Sequence, residues 1–191
     1  MSILSRLKTP KLSAGGVPEV DENVFRLRVD GLVHPFLSVS LQEIKQWPKS
    51  AVNARLTSVS GFSVRATWEG VTALPSASPI LTTQRFSWSM VWKGKLWERA
   101  YGGPLRMVIP QLYGYQSAKW LSRIEIVDSM RGGYWEDRGY SRSGIIEAGT
   151  TLDVNMGVRK PITGGEVVDL TTNRLSRNTG RCPGRPSQVL G

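Results

Sequence analysis

The stretch from Tyr101 to Tyr140, YGGPLRMVIPQLYGYQSAKWLSRIEIVDSMRGGYWEDRGY, carries more structural information than any other part of this 191-residue chain. A Gly-Gly-Pro turn leads into a short apolar run, residues 105–110, which is rich in residues that favour strands. In a second run, residues 121–127, apolar and charged residues alternate, and a period of two indicates a half-buried strand. The sequence therefore predicts two strands joined by a loop, in which Lys119 precedes Trp120.

Four elements are predicted ahead of this stretch, namely three strands and one helix. Ser40 and Glu43 have the spacing of a capping box, in which each side chain binds the other residue's backbone amide, and Pro48 ends the helix that they begin. In the first strand candidate, apolar and polar residues alternate. The predicted strands are 24–29, 32–39 with an interruption at Pro35, and 52–59, and the predicted helix is 41–47.

The sequence divides into three parts. Residues 1–23 form an N-terminal arm without periodicity, and residues 24–150 form the folded body, which contains all seven tryptophans. Residues 151–191 form a tail rich in glycine, proline and arginine. Within it we expect loops around the glycines, one short strand at 167–170, and disorder from residue 171 onward.

The chain is basic, with a formal net charge of +10 at pH 7. Basic residues outnumber acidic ones within the body as well as in the tail, so the excess is not confined to a flexible end. A positively charged body favours an anionic partner. The candidates are a phosphorylated cofactor, an oxyanion substrate and nucleic acid.

Cysteine content and hydropathy exclude several other classes. The single cysteine, Cys182, excludes an internal disulfide framework and a metal site built from several cysteines. The sequence contains no apolar run long enough for a transmembrane helix, and its N-terminus has no apolar stretch of signal-peptide length. We therefore expect a cytoplasmic protein without a membrane anchor.

Several sequence motifs occur along the chain in the order that is typical of one protein family. They are KLSAGGVP at 11–18, FRLRVDGLV at 25–33, SVSGFS at 58–63, WEGV at 68–71, GGPLR at 102–106, QSAKW at 116–120 and GYWE at 133–136. In this order and spacing, the chain resembles the sulfite-oxidase-like, molybdopterin-binding oxidoreductases, in their short bacterial form without haem. The resemblance extends over residues 11–140.

This resemblance implies a fold, a cofactor and a set of site residues. The fold is of the α+β class, a mixed and mainly β molybdopterin-binding fold of the sulfite oxidase type with few short helices. The cofactor is molybdopterin, carrying molybdenum, and the reaction is oxygen-atom or two-electron transfer on a small oxyanion or oxide, with an electron-transfer partner. The residues matched to cofactor binding are Thr57, Ser58, Arg106, Gln116, Ser117 and Lys119.

The chain departs from the family pattern at several positions. Ser58 stands where the family has the cysteine thiolate that binds molybdenum, and a hydroxyl is a far poorer ligand than a thiolate. Phe62 stands where the family usually has tryptophan, and the segment between Val71 and Gly102 is shorter than usual. The histidine and the Asp-Pro-Trp sequence expected after Tyr140 are missing.

Each candidate residue also has an ordinary structural interpretation. Arg106 and Lys119 are either phosphate ligands or solvated charges at strand ends, and Ser58 either faces the metal position or binds local backbone. Arg55 and Arg65, on either side of Ser58, either attract an anionic substrate, which would place them with Ser58 among the catalytic residues, or lie on the surface. His34, the single histidine, fits a structural or exposed position better than that of a ligand.

Three functional hypotheses follow from these observations. The first is a molybdopterin-dependent oxidoreductase, with a small anionic substrate. The second is a relative of the same fold that binds pterin or another anion without turnover, which the missing thiolate favours. The third is a nucleic-acid-binding module, suggested only by the tryptophans and basic residues between Trp88 and Arg99, and the chain contains no recognised nucleic-acid-binding motif.

Overall fold

The computed structural model describes residues 13–73, 86–92, 95–169 and 174–177, with side chains for 13–71 and 97–165. Twelve strands and one α-helix lie in these segments. The strands are β1 (Arg26–Gly31), β2 (Leu37–Ser40), β3 (Ser50–Thr57), β4 (Phe62–Ala73), β5 (Phe86–Trp92), β6 (Lys95–Leu96), β7 (Arg106–Val108), β8 (Arg123–Ile126), β9 (Gly149–Asp153), β10 (Val158–Ile162), β11 (Glu166–Asp169) and β12 (Arg174–Arg177). The helix is α1 (Leu41–Gln46), and single 3-10 turns lie at Arg99–Tyr101, Gly114–Gln116 and Glu136–Arg138.

A three-stranded sheet contains β8, the second strand predicted in the stretch 101–140, whereas β7 of that stretch belongs to a second, larger sheet. The order of the three-stranded sheet is β2-β1-β8, with β1 antiparallel to β2 and parallel to β8. The alternation predicted for β1 and β8 is present, since Leu27 is fully buried while Arg26 and Arg28 are exposed. The buried side chains beneath this sheet form one core cluster: Phe25, Leu27, Val39, Leu41, Ile44, Leu105 and Leu121.

The helix α1 starts where the sequence predicts it. The Ser40 hydroxyl accepts a hydrogen bond from the Glu43 amide, and the Glu43 carboxylate accepts one from the Ser40 amide, which is the complete capping box. These bonds lower the pKa of the Glu43 carboxyl, first through the Ser40 hydroxyl and then through its amide. The helix buries Leu41 and Ile44, and thereby closes one side of the small sheet.

A nine-stranded sheet forms the rest of the body, built around the hairpin of β3 and β4. Its main path runs β10-β9-β4-β3-β11-β12, and β5 pairs with β4, β6 and β7. The hairpin register joins Ser50 to Gly70 and Thr57 to Ser63. Side chains of one face of the hairpin, with others from 97–108, form the second core cluster: Ala54, Val64, Ala66, Trp68, Trp97, Tyr101 and Val108.

The sheet continues beyond residue 150, where the sequence suggested that the body ends. β9 begins at Gly149 and pairs in parallel with the start of β4, and β10 pairs with β9. β11 lies beside β3, close to the short strand predicted at 167–170, and β12 pairs with β11. Part of the assigned tail therefore belongs to the sheet, while residues 178–191, with the disorder expected there, lie outside the described residues.

Other differences from the sequence prediction are local. The second predicted strand starts later, at Leu37, because the chain first turns through Pro35. The third predicted strand, 52–59, is shifted to Ser50–Thr57, and after a short turn the chain enters β4, a strand from Phe62 to Ala73 that the sequence did not predict. In the described segments, no helix combines the length and the hydropathy that a membrane crossing needs.

Candidate cofactor-binding site

A cavity of about 630 Å³ opens on the side of the large sheet that carries the second core cluster. Four segments enclose it: the N-terminal residues 13–18, the turn at 58–60 with the adjoining ends of β3 and β4, the loop 114–120, and an aromatic segment between 134 and 140. Its volume lies within the usual range of cofactor and ligand pockets.

The charges that line this cavity are of one sign. Arg106 and Lys119 are the charged lining residues, and no aspartate, glutamate, histidine or cysteine of the described segments lines it. The rest of the lining consists of apolar residues, hydroxyl groups and aromatic rings. The cavity therefore favours an anionic ligand, most of all one with a planar ring.

Arg106 is the more deeply buried cation, with 4% of its surface exposed. Its Nη1 donates a hydrogen bond to the Tyr101 carbonyl at 2.9 Å, and its guanidinium carbon lies 5.1 Å from the centre of the Trp97 ring. Its Nε has no hydrogen-bond partner, and within the described part of the chain Arg106 forms no ion pair with a carboxylate. Burial lowers the pKa of Arg106 to about 10, so the side chain is charged at neutral pH.

Lys119 lies beside Arg106 and is partly buried. Its stem packs on Gly102, because a Cβ atom built on that glycine would lie 2.9 Å from Lys119 Cγ. Its Nζ lies 5.6 Å from the centre of the Trp120 ring. Burial and then repulsion from the charge of Arg106 lower the pKa of Lys119 to about 8.

Backbone hydrogen bonds fix the loop that carries Lys119. The Met107 amide donates to the Ala118 carbonyl at 2.8 Å, and the Leu121 amide donates to the Leu105 carbonyl at 2.8 Å. The buried Ser117 hydroxyl accepts a hydrogen bond from the Ile109 amide at 3.1 Å. The loop is therefore bound to β7, which carries Arg106, and the two cations approach the cavity from adjacent backbone.

Ser58 lies in the turn between β3 and β4 and lines the cavity. Its hydroxyl accepts a hydrogen bond from the Ser60 amide at 3.1 Å, and its carbonyl accepts one from the Gly61 amide at 3.1 Å. Gly61 has φ of +81°, a left-handed conformation that favours glycine. Ser58 thus has the local bonding of a turn serine, at a position where its side chain also borders the cavity.

Aromatic residues line the side of the cavity formed by 134–140. Tyr115 meets Tyr140 edge-on, with ring centres 5.1 Å apart, and Trp135 stacks on Tyr140 at 5.1 Å. The Tyr115 hydroxyl donates to the Ser141 carbonyl at 2.6 Å. Burial, and then the carboxylate of Glu136, raise the pKa of Tyr115, so this hydroxyl remains a donor at neutral pH.

The structure brings part of the predicted site together. Thr57, Ser58, Arg106, Ser117 and Lys119 all line the one cavity. Gln116 is not among the lining residues, and its side-chain amide nitrogen donates to the Glu136 carboxylate at 2.7 Å. His34, for which the sequence favoured a structural or exposed position, is exposed beside Phe36 and lies outside the cavity.

Arg55 and Arg65, predicted to attract the substrate, lie on the opposite face of the β3–β4 hairpin. Side chains alternate along a strand, and Arg55 is paired with Arg65 in register, whereas Leu56 and Val64 face the cavity. Arg65 donates to the Asn53 amide oxygen at 3.1 Å. A catalytic role for either arginine in this cavity is therefore not supported by its position.

Arg55 instead forms a buried ion pair with Asp153 of β9, with 3.1 Å between Nη1 and Oδ2. The same nitrogen donates to the Ser63 hydroxyl at 2.9 Å. Burial alone would raise the pKa of Asp153, but the hydrogen bonds from Arg55 and from the Asn155 amide outweigh it and lower the pKa. This arginine joins β9 to the hairpin, so its function is structural.

The sequence prediction also missed lining residues. The arm residues 13–18 and the aromatic residues Tyr115, Trp135 and Tyr140 were not among the predicted site residues. The quoted motifs KLSAGGVP and GYWE contain several of them, so their membership of the family pattern was the available signal. The side chains of 88–96, on which the nucleic-acid hypothesis rests, lie outside the described ones, and Trp97 is buried in the core.

The residues present fit the phosphate and the ring of molybdopterin better than they fit its metal. Thr57 Oγ1 and Arg106 Nε are buried polar atoms of the lining residues that lack a partner, and they provide hydrogen-bonding capacity for a ligand. For the metal, the lining supplies a serine hydroxyl at position 58. No group of three or more His, Cys, Asp or Glu side chains that could hold a metal occurs in the described segments.

Comparison with known proteins agrees with this geometry. The family model described as oxidoreductase molybdopterin binding domain matches residues 80–135, a segment that contains Arg106 and Lys119 but not Ser58. The putative protein-methionine-sulfoxide reductase subunit YedZ1 of Azospira oryzae is 27% identical over 152 residues, which cover 65% of this chain and 57% of that protein. The uncharacterized oxidoreductase YuiH of Bacillus subtilis is 28% identical over 163 residues, which cover 71% of this chain and 82% of that protein.

Among solved structures, the sulfane dehydrogenase SoxCD from Paracoccus pantotrophus has a similar fold. The TM-score is 0.56 at 16% identity, and the match covers 78% of this chain and 47% of that chain. The chain thus spans only about half of YedZ1 and of the matched SoxCD chain. The mainly β fold with few short helices is of the sulfite oxidase type, as the sequence predicted, and the matched domain confirms molybdopterin as the cofactor. These findings confirm the resemblance of this chain to the sulfite-oxidase-like, molybdopterin-binding oxidoreductases.

Proposed function

We propose that the chain is a molybdopterin-dependent oxidoreductase of the sulfite oxidase type, acting on a small oxyanion or oxide. The observation that carries this proposal is the pair of cations in the cavity. Arg106 is buried without a carboxylate partner in the described segments, and Lys119 lies beside it in a cavity that no acidic residue of those segments lines.

The energetic reason is the cost of such a pair. Moving a charged group out of water costs several kcal/mol unless an opposite charge compensates, and two neighbouring cations add repulsion. A bound phosphate offsets both terms because it carries up to two negative charges and accepts charge-assisted hydrogen bonds from both side chains. The folded protein is therefore less stable when the cavity contains no anion, and a phosphate-bearing ligand stabilises it.

The residues that line the cavity form two groups, one suited to bind the phosphate of the cofactor and the other to border its pterin ring. Arg106 and Lys119 would hold the phosphate, with Thr57 Oγ1 as a further polar contact, and the aromatic wall of Tyr115, Trp135 and Tyr140 would border the planar pterin. Ser117 fixes the loop by accepting a hydrogen bond from the Ile109 amide, and this bond leaves its hydroxyl proton able to donate to the phosphate. When bound, the cofactor supplies oxygen-atom and two-electron transfer, and the protein supplies binding, orientation and exclusion of water.

A small anionic substrate is proposed on the same electrostatic basis. The potential of the cavity is positive, which raises the local concentration of anions. The names of the similar proteins refer to methionine sulfoxide for YedZ1 and to sulfane for SoxCD, both of them sulfur compounds. A separate electron-transfer partner is proposed as well, because a two-electron reaction needs an acceptor or donor outside the cavity.

A second function is favoured by one specific observation, the serine at position 58. A hydroxyl that stays protonated is a poor metal ligand, and this one accepts a hydrogen bond from the Ser60 amide. A protein of this fold that binds the pterin phosphate without turnover would keep Arg106 and Lys119 and lose the thiolate. The two functions differ in whether metal accompanies the pterin.

Metal analysis of the purified protein and of Ser58→Cys separates the two functions. An oxidoreductase contains molybdenum in the wild-type protein, and Ser58→Cys retains or increases the metal per chain. A pterin-binding protein without turnover contains pterin but no molybdenum, and restoring the thiolate raises the metal content. Ser38→Cys is the matched control, since it adds a thiol at an exposed position of β2 outside the cavity and should leave the metal content unchanged.

A further inference from the structure

Trp120 has an unusual backbone conformation for a large residue. Its φ is +50°, and it is the one non-glycine residue with positive φ in the described segments. The left-handed region costs an L-residue with a Cβ atom free energy, and a bulky side chain there occurs only where the surroundings hold it. Trp120 also lines the cavity and directly follows Lys119.

Two hydrogen bonds hold Trp120 in this conformation. Its indole Nε1 donates to the Arg99 carbonyl at 2.7 Å, and its backbone amide donates to the Gly102 carbonyl at 3.1 Å. Both acceptors belong to the 3-10 turn Arg99–Tyr101 and its capping glycine, which is itself closed by a bond from the Gly102 amide to the Arg99 carbonyl at 3.0 Å. The indole therefore attaches the loop to a fixed turn of the body.

This attachment determines where the stem of Lys119 lies. The Cβ and Cγ atoms of Lys119 occupy the space over Gly102, since a Cβ on that glycine would come within 3.0 Å and 2.9 Å of them. The charged end lies 5.6 Å from the Trp120 ring centre. The lysine stem is thus confined between a glycine that leaves room for it and a tryptophan that is bonded to the same turn.

We propose that Trp120 is the positioning residue for Lys119: its indole, bonded to the Arg99 carbonyl, holds the loop so that the lysine is directed over Gly102 into the cavity beside Arg106. Trp120 need not touch the phosphate to do this. The inference rests on the proposed function, because it assigns to Trp120 the placement of a phosphate ligand. This proposal predicts that loss of the indole N–H weakens anion binding even in a variant that remains folded.

The test uses inorganic pyrophosphate as the probe and protein produced in cells that cannot make molybdopterin. Affinity is measured by calorimetry between pH 6.5 and 9.5 for the wild type, Trp120→Phe and Trp120→Gly. Trp120→Phe keeps a ring but loses the donor to Arg99. Trp120→Gly loses the ring but accepts φ of +50° without strain, so it tests the attachment separately from the backbone conformation.

Both variants are expected to bind pyrophosphate about threefold to tenfold more weakly than the wild type, because the lysine must then be ordered on binding. In both variants, the pH above which pyrophosphate affinity falls is expected to be higher than in the wild type. The reason is that Lys119, once it is no longer held beside Arg106, stays protonated to a higher pH. A purely structural tryptophan would change the melting temperature without moving that pH. Trp47→Phe, in a half-buried tryptophan outside the cavity, is the control.

Unchanged affinity and an unchanged pH profile in either folded variant overturn the proposal, and Trp120→Gly keeps the test valid if Trp120→Phe does not fold. If the wild-type protein itself fails to bind pyrophosphate, the anion site of the proposed function is wrong. That outcome differs from the failure of the inference alone, in which the wild type and the variants bind equally well.

Discussion

Replacing Lys119 with methionine should have opposite effects on stability and on anion binding. Methionine keeps the unbranched stem that packs on Gly102 and removes the charge that repels Arg106. In the protein without ligand, the charged lysine is a cost, because burial and Arg106 lower its pKa to about 8 from an ordinary value of 10.5. The variant should therefore be more stable than the wild type and bind phosphate more weakly.

The size of the stability gain follows from the lowered pKa of Lys119. Lowering a pKa by one corresponds to about 1.4 kcal/mol, and partial exposure screens the interaction, so we expect a gain of about 1–2 kcal/mol. The cost of the lysine is complete below pH 8, where it is protonated in both the folded and the unfolded state. It disappears as the pH rises from 8 towards 10.5, because the folded protein has then released the proton. The difference between variant and wild type should shrink over the same range.

The loss of binding should be larger than the gain in stability. A hydrogen bond between charged groups contributes about 1.5–3 kcal/mol, so pyrophosphate affinity at pH 7 should fall by about one to two orders of magnitude. Urea unfolding at pH 7 and pH 10 measures the first effect, and calorimetric titration measures the second.

The control for both measurements is Lys45→Met. Lys45 lies on α1 outside the cavity and forms a surface pair with Glu22 at 3.9 Å. Such a pair contributes about 0–1 kcal/mol, so its loss should leave binding unchanged and stability nearly so. If Lys119→Met binds pyrophosphate as the wild type does, or is less stable at pH 7, the description of a cavity in which two cations repel each other is wrong.

Two further predictions concern residues around the site. Asp153→Asn should destabilise the protein by about 3–5 kcal/mol in urea unfolding, because it leaves Arg55 buried without this carboxylate. The double variant Arg55→Met with Asp153→Leu should recover most of that loss. Equal stability of the wild type and Asp153→Asn would contradict the buried pair. Since the pKa of Asp153 is lowered, the stability from this pair should be complete above about pH 4 and be lost at lower pH as the carboxylate is protonated, a dependence absent from the double variant. Gly102→Ala should weaken pyrophosphate binding about threefold to tenfold, because its Cβ would displace Lys119 and its φ of +106° disfavours alanine; wild-type affinity would show that the lysine stem does not need this glycine.

Local patterns in the sequence predicted the parts of the fold that are fixed by local interactions. The capping box of Ser40 and Glu43 identified α1, and alternation identified β1, β3 and β8 to within a few residues. These signals succeed because backbone amides and alternating burial are satisfied within a few residues of the chain.

Two strands, β9 and β10, were missed because their own residues carry no local strand pattern. β9 pairs in parallel with β4 across about ninety residues of sequence, and its exposed threonine and leucine do not form an apolar stripe. β10 contains Pro161, which argues against a central strand, yet β10 lies at the edge of the sheet, where proline is tolerated. The glycines around both strands indicated loops, and only the pairing with the hairpin shows otherwise.

The site was predictable to the extent that the family pattern named its loops. Ser58 and Lys119, sixty-one positions apart, line one cavity as the resemblance implied. Arg55 and Arg65 were chosen because they are near Ser58 in sequence, but the hairpin register places them on the face opposite Leu56 and Val64, which line the cavity. Gln116 of the 3-10 turn Gly114–Gln116 is not among the lining residues, and its side chain is bonded to Glu136, a contact that no local pattern in the sequence indicates.

The most direct measurement is the phosphorylated pterin released from the purified protein on denaturation and oxidation, detected by its fluorescence. Protein from cells that make molybdopterin should release pterin in an amount comparable to the protein, and Arg106→Leu combined with Lys119→Met should release almost none while remaining folded. A wild-type protein without pterin, or a double variant that retains it in full, would contradict the assignment of this cavity as the cofactor site.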